Sequence, residues 1–137
     1  MQNNGSYHPK ECISSKVMRL NRIIANIFRK YLKPFGITNS QLSILFVLNY
    51  RNDLNQRKLS DLTILEKSSL NRNLTRLQQS DLISKAKFPY IRITEKGRQL
   101  VNNIIPEWEK AMAECNLLIE KEGINALNLL MDKVLKK

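Results

Sequence analysis

Lys67-Ser68-Ser69-Leu70-Asn71-Arg72-Asn73-Leu74-Thr75-Arg76-Leu77 is the stretch whose reading decides the fold. Leu70, Leu74 and Leu77 recur at i, i+4 and i+7, so they share one face of a helix. At about 100° per residue, Ser68, Arg72, Thr75 and Arg76 point roughly the other way. That face has two guanidiniums, several hydroxyls and no acid. Arg binds a guanine edge bidentately, and Ser, Thr and Asn bond phosphates or bases. The plain alternative is a solvated helix face, and the flanking sequence bears on the choice.

Upstream, Gln56-Arg57-Lys58-Leu59-Ser60-Asp61-Leu62-Thr63-Ile64-Leu65 places apolar residues at 59, 62 and 65, and Asn55 is a good N-cap. The link Leu65-Glu66-Lys67 is short, as a helix-turn-helix requires, and Ser68 is a second N-cap candidate. Downstream, Ile91 and Ile93 alternate with Arg92, the period-2 pattern of a half-buried strand. Pro89 suits a turn or a strand edge. The spacing predicts a small β-wing of two or three strands, with Lys85, Lys87 and Arg92 projecting from it.

Two longer helices flank this head. Ile13, Val17, Leu20, Ile24, Ile27 and Tyr31 step by four and three, with Ile23, Phe28 and Leu32 widening the stripe. The stripe has more apolar width than a small domain usually needs, which suggests core packing and a subunit interface together. Pro34 ends this helix. Thr38 with Gln41 three residues on forms a capping box for a buried helix running to about Tyr50. Thr94 caps a last long segment. Pro106 is expected to kink or break it, Gly123 to stop it, and Ile124 to about Leu135 to form a final helix. The expected architecture is mainly α. A flexible tail spans 1–11, a winged helix-turn-helix 34–94, and a helical dimerisation region 12–33 with 95–137.

The charge follows that division. The 137-residue chain has a formal net charge of +11. Lys and Arg outnumber acids seven to one in 1–50 and eleven to five in 51–98, but five meet six in 99–137. A basic head beside a near-neutral arm points to a polyanion partner for the head and a protein partner for the arm. The longest uninterrupted apolar run, Ile44 to Leu48, is far short of a membrane span. The basic segments also lack an aromatic-rich face for membrane insertion. The first residues do not read as a signal peptide, so a cytoplasmic chain with reduced thiols and no membrane partner is expected. One histidine, His8, and two distant cysteines make no metal site. No motif places a nucleophile beside a base and no Gly-rich phosphate loop exists, so neither an enzyme nor a cofactor is expected.

In the order and spacing of its motifs the chain resembles the MarR family of winged helix-turn-helix regulators, over about residues 10 to 135. Leu32-Lys33-Pro34-Phe35-Gly36-Ile37-Thr38-Asn39-Ser40-Gln41 is similar to the family's "L-x-P-x-G-L-T-x-x-Q" segment. Ser68 to Leu77 resembles its recognition helix, and Ile93-Thr94-Glu95-Lys96-Gly97-Arg98 its "L-T-x-x-G-R" step. Cys12 and Pro106-Glu107-Trp108 resemble a subgroup with a cysteine opening the first helix and a Pro-x-Trp in the fifth. The resemblance implies a homodimer reading a pseudo-palindrome on double-stranded DNA. It also implies a repressor that releases DNA on binding a small phenolic or lipophilic effector, or on thiol oxidation. The family's wing usually carries Asp-x-Arg, and here Lys85-Ala86-Lys87-Phe88-Pro89-Tyr90 has neither residue.

The DNA-binding set expected on these grounds is Ser68, Ser69, Asn71, Arg72, Arg76, Lys85, Lys87 and Arg92. Arg72 is assigned to base reading and the two lysines to phosphates. An effector pocket is expected between arm and head, walled by Phe28, Phe46, Trp108 and Met112, although such residues at helical spacing serve equally as core. Cys12, near a helix N-terminus with Lys10 and Lys16 close in sequence, is either a redox sensor or an inert residue of the arm. A competing reading of the whole chain is a winged-helix protein-interaction module that reads no sequence.

Overall fold

The computed structural model describes residues 8–63 and 65–135. Among them are a 3-10 turn at Pro9–Glu11 and helix α1 (Ile13–Leu32), followed by a second 3-10 turn at Lys33–Phe35. Helices α2 (Asn39–Tyr50), α3 (Gln56–Leu62) and α4 (Lys67–Gln79) come next. Strands β1 (Ile83–Ser84) and β2 (Arg92–Ile93) and helix α5 (Glu95–Leu135) complete the order. The expected mainly α winged helix-turn-helix is what forms. Most of the anticipated tail, residues 1–7, lies outside the described residues.

Local chemistry sets the helix starts. The Thr38 hydroxyl accepts from the Gln41 N–H at 3.1 Å, and Gln41 Oε1 accepts from the Thr38 N–H at 3.2 Å, closing the capping box of α2. Asn55 Oδ1 accepts from the Lys58 N–H at 2.8 Å and caps α3. The expected cap at Ser68 does not form. Helix α4 begins at Lys67 with Glu66 as its N-cap, and the Leu70 N–H already donates to the Glu66 carbonyl at 2.8 Å. Ser68 therefore sits in the first turn of α4.

Burial then assembles the head. Leu42, Ile44, Leu45 and Leu48 of α2, Leu59 of α3, and Leu70, Leu74 and Leu77 of α4 are all buried in one cluster. The cluster continues without a gap into the arm through Phe28, Leu32, Val101, Ile104, Ala111 and Cys115. The wing has two strands, antiparallel, in the register Ile83↔Ile93 and Ser84↔Arg92. Its return is tied to the head by the Ile91 N–H, which donates to the Leu54 carbonyl at 2.8 Å.

Thr94 fixes the junction of wing and arm. Its hydroxyl donates to the Asp81 carbonyl at 2.7 Å and accepts from the Gly97 N–H at 3.0 Å. One turn into α5, Gly97 packs under the wing. A Cβ there would press on the Leu82 carbonyl oxygen and come within 2.7 Å of Ile93 Cγ1. Gly97→Ala is expected to destabilise the fold by about 1–3 kcal/mol through overpacking, despite the better helix propensity of alanine. Denaturant melts check this, and an unchanged midpoint would refute it.

The arm corrects one expectation and bears out another to within three residues. Helix α5 runs through Pro106 without a break but is interrupted at Glu120, at φ 65° and ψ 169°, where one helix gives way to a last one reaching Leu135, close to the expected stop at Gly123. Pro106 removes the N–H that would bond the Asn102 carbonyl, but both residues are exposed, so water can satisfy that carbonyl. Across that break Gly123 allows close approach, because a Cβ there would collide with the Ile119 side chain.

The far end of the arm is apolar and uncovered. Ile13, Val17, Met18, Leu20 and Ile23 of α1 are exposed, as are Leu117, Leu118, Leu130 and Val134 of α5. Where α1 meets α5 closer to the head, Lys30 Nζ donates to Glu114 Oε1 at 2.6 Å and the Tyr31 hydroxyl donates to the same oxygen at 2.7 Å. Hydrogen bonds from Lys30 first, then Tyr31, hold the Glu114 carboxyl below its ordinary pKa.

Candidate nucleic-acid interface

Helix α4 is held by its buried leucines and presents its other face to solvent. Lys67, Ser68, Asn71, Arg72, Thr75 and Arg76 are exposed, and Ser69 is half-buried. The first turn contains no acid. Arg72 Nη2 donates to Ser69 Oγ at 3.2 Å. That bond steadies the guanidinium and leaves its other donors to the outside. Thr75 and Asn73 are occupied within the helix: the Thr75 hydroxyl donates to the Asn71 carbonyl and Asn73 Nδ2 to the Ser69 carbonyl, each at 3.0 Å. The expected residues Ser68, Asn71, Arg72 and Arg76 thus share one exposed surface, with Ser69 supporting it.

Sequence reasoning missed Gln56. At the first position of α3, its Nε2 donates to Asn71 Oδ1 and fixes the orientation of that amide across the helix-turn-helix. No periodicity signals this contact, because it joins two exposed faces fifteen residues apart.

The wing presents its residues differently. The Tyr90 N–H donates to the Lys87 carbonyl at 2.9 Å and closes the tip. Lys87 is exposed and Lys85 half-buried. Arg92 lies against the head: its Nε donates to the Asn52 carbonyl at 3.1 Å, and its guanidinium carbon sits 5.7 Å from the Tyr90 ring centre. Lys87 is therefore the most freely presented cation of the three.

The four residues expected around an effector divide. Phe46 and Trp108 meet edge to face at 5.7 Å between ring centres. Phe28 belongs to the buried core, and Met112 is 37% exposed one turn along α5 from Trp108. The two cysteines also differ. Cys12 is exposed at the N-cap of α1 and makes no side-chain cap hydrogen bond. The Ser15 N–H and then its hydroxyl nevertheless lie close enough to draw the thiol below its ordinary pKa. Burial pushes the Cys115 thiol up.

A short helix, a tight link, a second helix with an exposed basic face and a two-stranded ribbon define a winged helix-turn-helix DNA-binding protein. The MarR family model matches residues 35–89, which span the head. The chain is 23% identical over 126 residues to the HTH-type transcriptional regulator MhqR of Bacillus subtilis (strain 168), covering 79% of this chain and 87% of that one. The M. tuberculosis transcriptional regulator MosR, solved in complex with DNA, superposes with a TM-score of 0.76 at 25% identity, covering 90% of this chain and 98% of that one. Bordetella bronchiseptica BpsR superposes with a TM-score of 0.81 at 20% identity, covering 95% and 98%. Over its head the chain is similar to the MarR family, and the relatives it matches are HTH-type transcriptional regulators. No helix among the described residues is long and apolar enough to cross a membrane.

Proposed function

We propose that this regulator is a cytoplasmic homodimeric repressor, responsive to an effector or to thiol oxidation, that reads a pseudo-palindromic operator through α4. The observation that carries the reading is the acid-free outer face of α4, with Arg72 and Arg76 displayed on a helix whose inner face is fully buried. Ser68 and Ser69 in the first turn bind phosphate or a base edge, helped by the free N–H groups and the dipole. Arg72 reads a base edge, Arg76 a phosphate or a base, and Asn71, held by Gln56, lies between them. Lys85, Lys87 and Arg92 follow the backbone.

The uncovered apolar faces of α1 and α5 support a second copy of the chain as their partner, since such faces mark interaction surfaces. DNA binding by BpsR is regulated by 6-hydroxynicotinic acid, which supports effector control here. Phe46 and Trp108, with Phe28 on α1 and Met112 on α5, are the proposed wall for a lipophilic effector. The exposed Cys12 thiol with its lowered pKa is the proposed redox input.

Footprinting on a selected duplex tests the reading. Two protected half-sites about 34 Å apart, one helical turn, are expected from a two-fold dimer. A single protected patch, or uniform protection of any duplex, would contradict it. Lys87→Ala is expected to lower the slope of log affinity against log salt by about one. An unchanged slope would mean that the wing faces away from DNA.

A further inference from the structure

Phe88 stands at the tip of the wing with 86% of its surface exposed. The apolar residues of the ribbon are placed differently: Ile83, Ile91 and Ile93 are buried beneath it, and the Ile91 N–H is tied to the Leu54 carbonyl. The tip itself is an ordered turn. The Tyr90 N–H donates to the Lys87 carbonyl at 2.9 Å, which leaves Phe88 and Pro89 as the central residues, and the Ala86 N–H donates to Ser84 Oγ at 3.1 Å. Single exposed apolar side chains are ordinary on a protein surface. This one is aromatic, is held out by a closed turn and contributes nothing to the core.

The surroundings of the tip point to a duplex. From Leu82 to Thr94 the chain carries three cations and no acid. Arg92 is held back on the Asn52 carbonyl, so the ribbon ends in Phe88 and not in a guanidinium. A shallow groove of about 270 Å³ joins the tip to the head, with Lys85, Phe88 and Tyr90 on one side and Asn55 and Gln56 on the other. Gln56 in turn holds Asn71 on the exposed face of α4. Wing tip, Gln56 and α4 thus form one continuous surface. With α4 in the major groove, the ribbon at its side meets the neighbouring minor groove. A phenyl ring has no donor or acceptor with which to read the base edges there. What it can do is enter between base pairs.

We propose that Phe88 is an apolar wedge that partly unstacks one base step from the minor groove and bends the operator at each head. Lys87 beside it holds the flanking phosphate. Unstacking costs least at pyrimidine–purine steps such as TA and CA. The wing therefore selects sequence by deformability, at a position where no hydrogen bond reads a base. Where the wedge falls rests on the reading of α4 as the DNA helix; the bend itself needs only that the head binds duplex.

Energy transfer between dyes on the two ends of the selected duplex reads the bend in its complex with the full chain. The wild type is expected to bend it by about 20–90°. Phe88→Ala is expected to remove most of the bend and to weaken binding roughly tenfold, the effect of one lost base–aromatic stack. Phe88→Leu, still a wedge, is expected to keep most of both. All three proteins should share one salt slope, because no charge changes, and one thermal midpoint, because the ring is exposed. Replacing the TA or CA step under the wing by AA should weaken the wild type and leave Phe88→Ala nearly unchanged. A straight duplex in the wild-type complex, a bend undiminished in Phe88→Ala, or equal weakening of both proteins by the AA step would overturn the wedge. Loss of base preference with a Phe88-dependent bend intact would sink the reading by α4 and leave the wedge standing. No binding to any duplex would overturn both.

Discussion

Arg72→Ala is expected to weaken binding to the preferred duplex by about 1–3 kcal/mol, roughly five- to 150-fold, and to relax selectivity at one base position. The expectation follows from how the side chain is held. Leu70 and Leu74, both fully buried, fix the rotation of α4 on either side of it. The 3.2 Å hydrogen bond to Ser69 then limits where the guanidinium can swing. A prepositioned guanidinium loses less freedom on binding, so most of its bidentate interaction appears as affinity. The same substitution should leave the thermal midpoint nearly unchanged, because Arg72 is exposed and away from the core. Competition binding against duplexes varied one base pair at a time checks both effects on recognition. A base preference identical to wild type would remove Arg72 from the reading surface, whatever happened to total affinity.

The larger effect is expected from the arm. Val17→Glu combined with Leu130→Glu should convert the protein to a monomer and lower operator affinity by roughly a hundredfold or more, since linking two half-site readers in one dimer raises avidity by about 10²–10⁴ over either alone. Val17 and Leu130 are 53% and 50% exposed in the single chain, so charges there cost little to its own core. In a dimer the same charges are desolvated without partners, which is strongly unfavourable. Sedimentation and circular dichroism together check the result: halved mass with helix content retained. A wild-type protein already monomeric at micromolar concentration, or a doubly substituted protein that still sediments as a dimer, would refute this use of the arm.

What the sequence disclosed was whatever is local or periodic. The Thr38–Gln41 box and the Asn55 cap are visible because both partners lie within one turn. The leucines of α4 are visible because they repeat. Thr94 and Gly97 stand out as a motif, and the structure gives the reason: the hydroxyl joins α5 to the Asp81 carbonyl, and the glycine admits the wing. The break in α5 falls at Glu120, close to the expected stop at Gly123, and not at Pro106, because whether a proline breaks a helix depends on its surroundings. An exposed proline costs one carbonyl that water can satisfy. The candidate surface was legible in α4 and less so in the wing. That Arg92 lies on the Asn52 carbonyl, forty residues away, is a matter of tertiary placement. The same is true of Gln56 and Asn71.

Sequence reading by α4 is tested most directly by binding of the purified protein to the DNA upstream of its own gene, beside a scrambled duplex of equal length and composition, across a salt series. Phosphate contacts alone fade together on both duplexes as salt rises, while base reading separates them. A preference for the natural duplex that persists at physiological salt is the expected result. Equal, salt-labile binding to the two duplexes would contradict it and leave a winged helix that binds DNA without reading this sequence, whereas no binding to either would favour one that docks on protein instead.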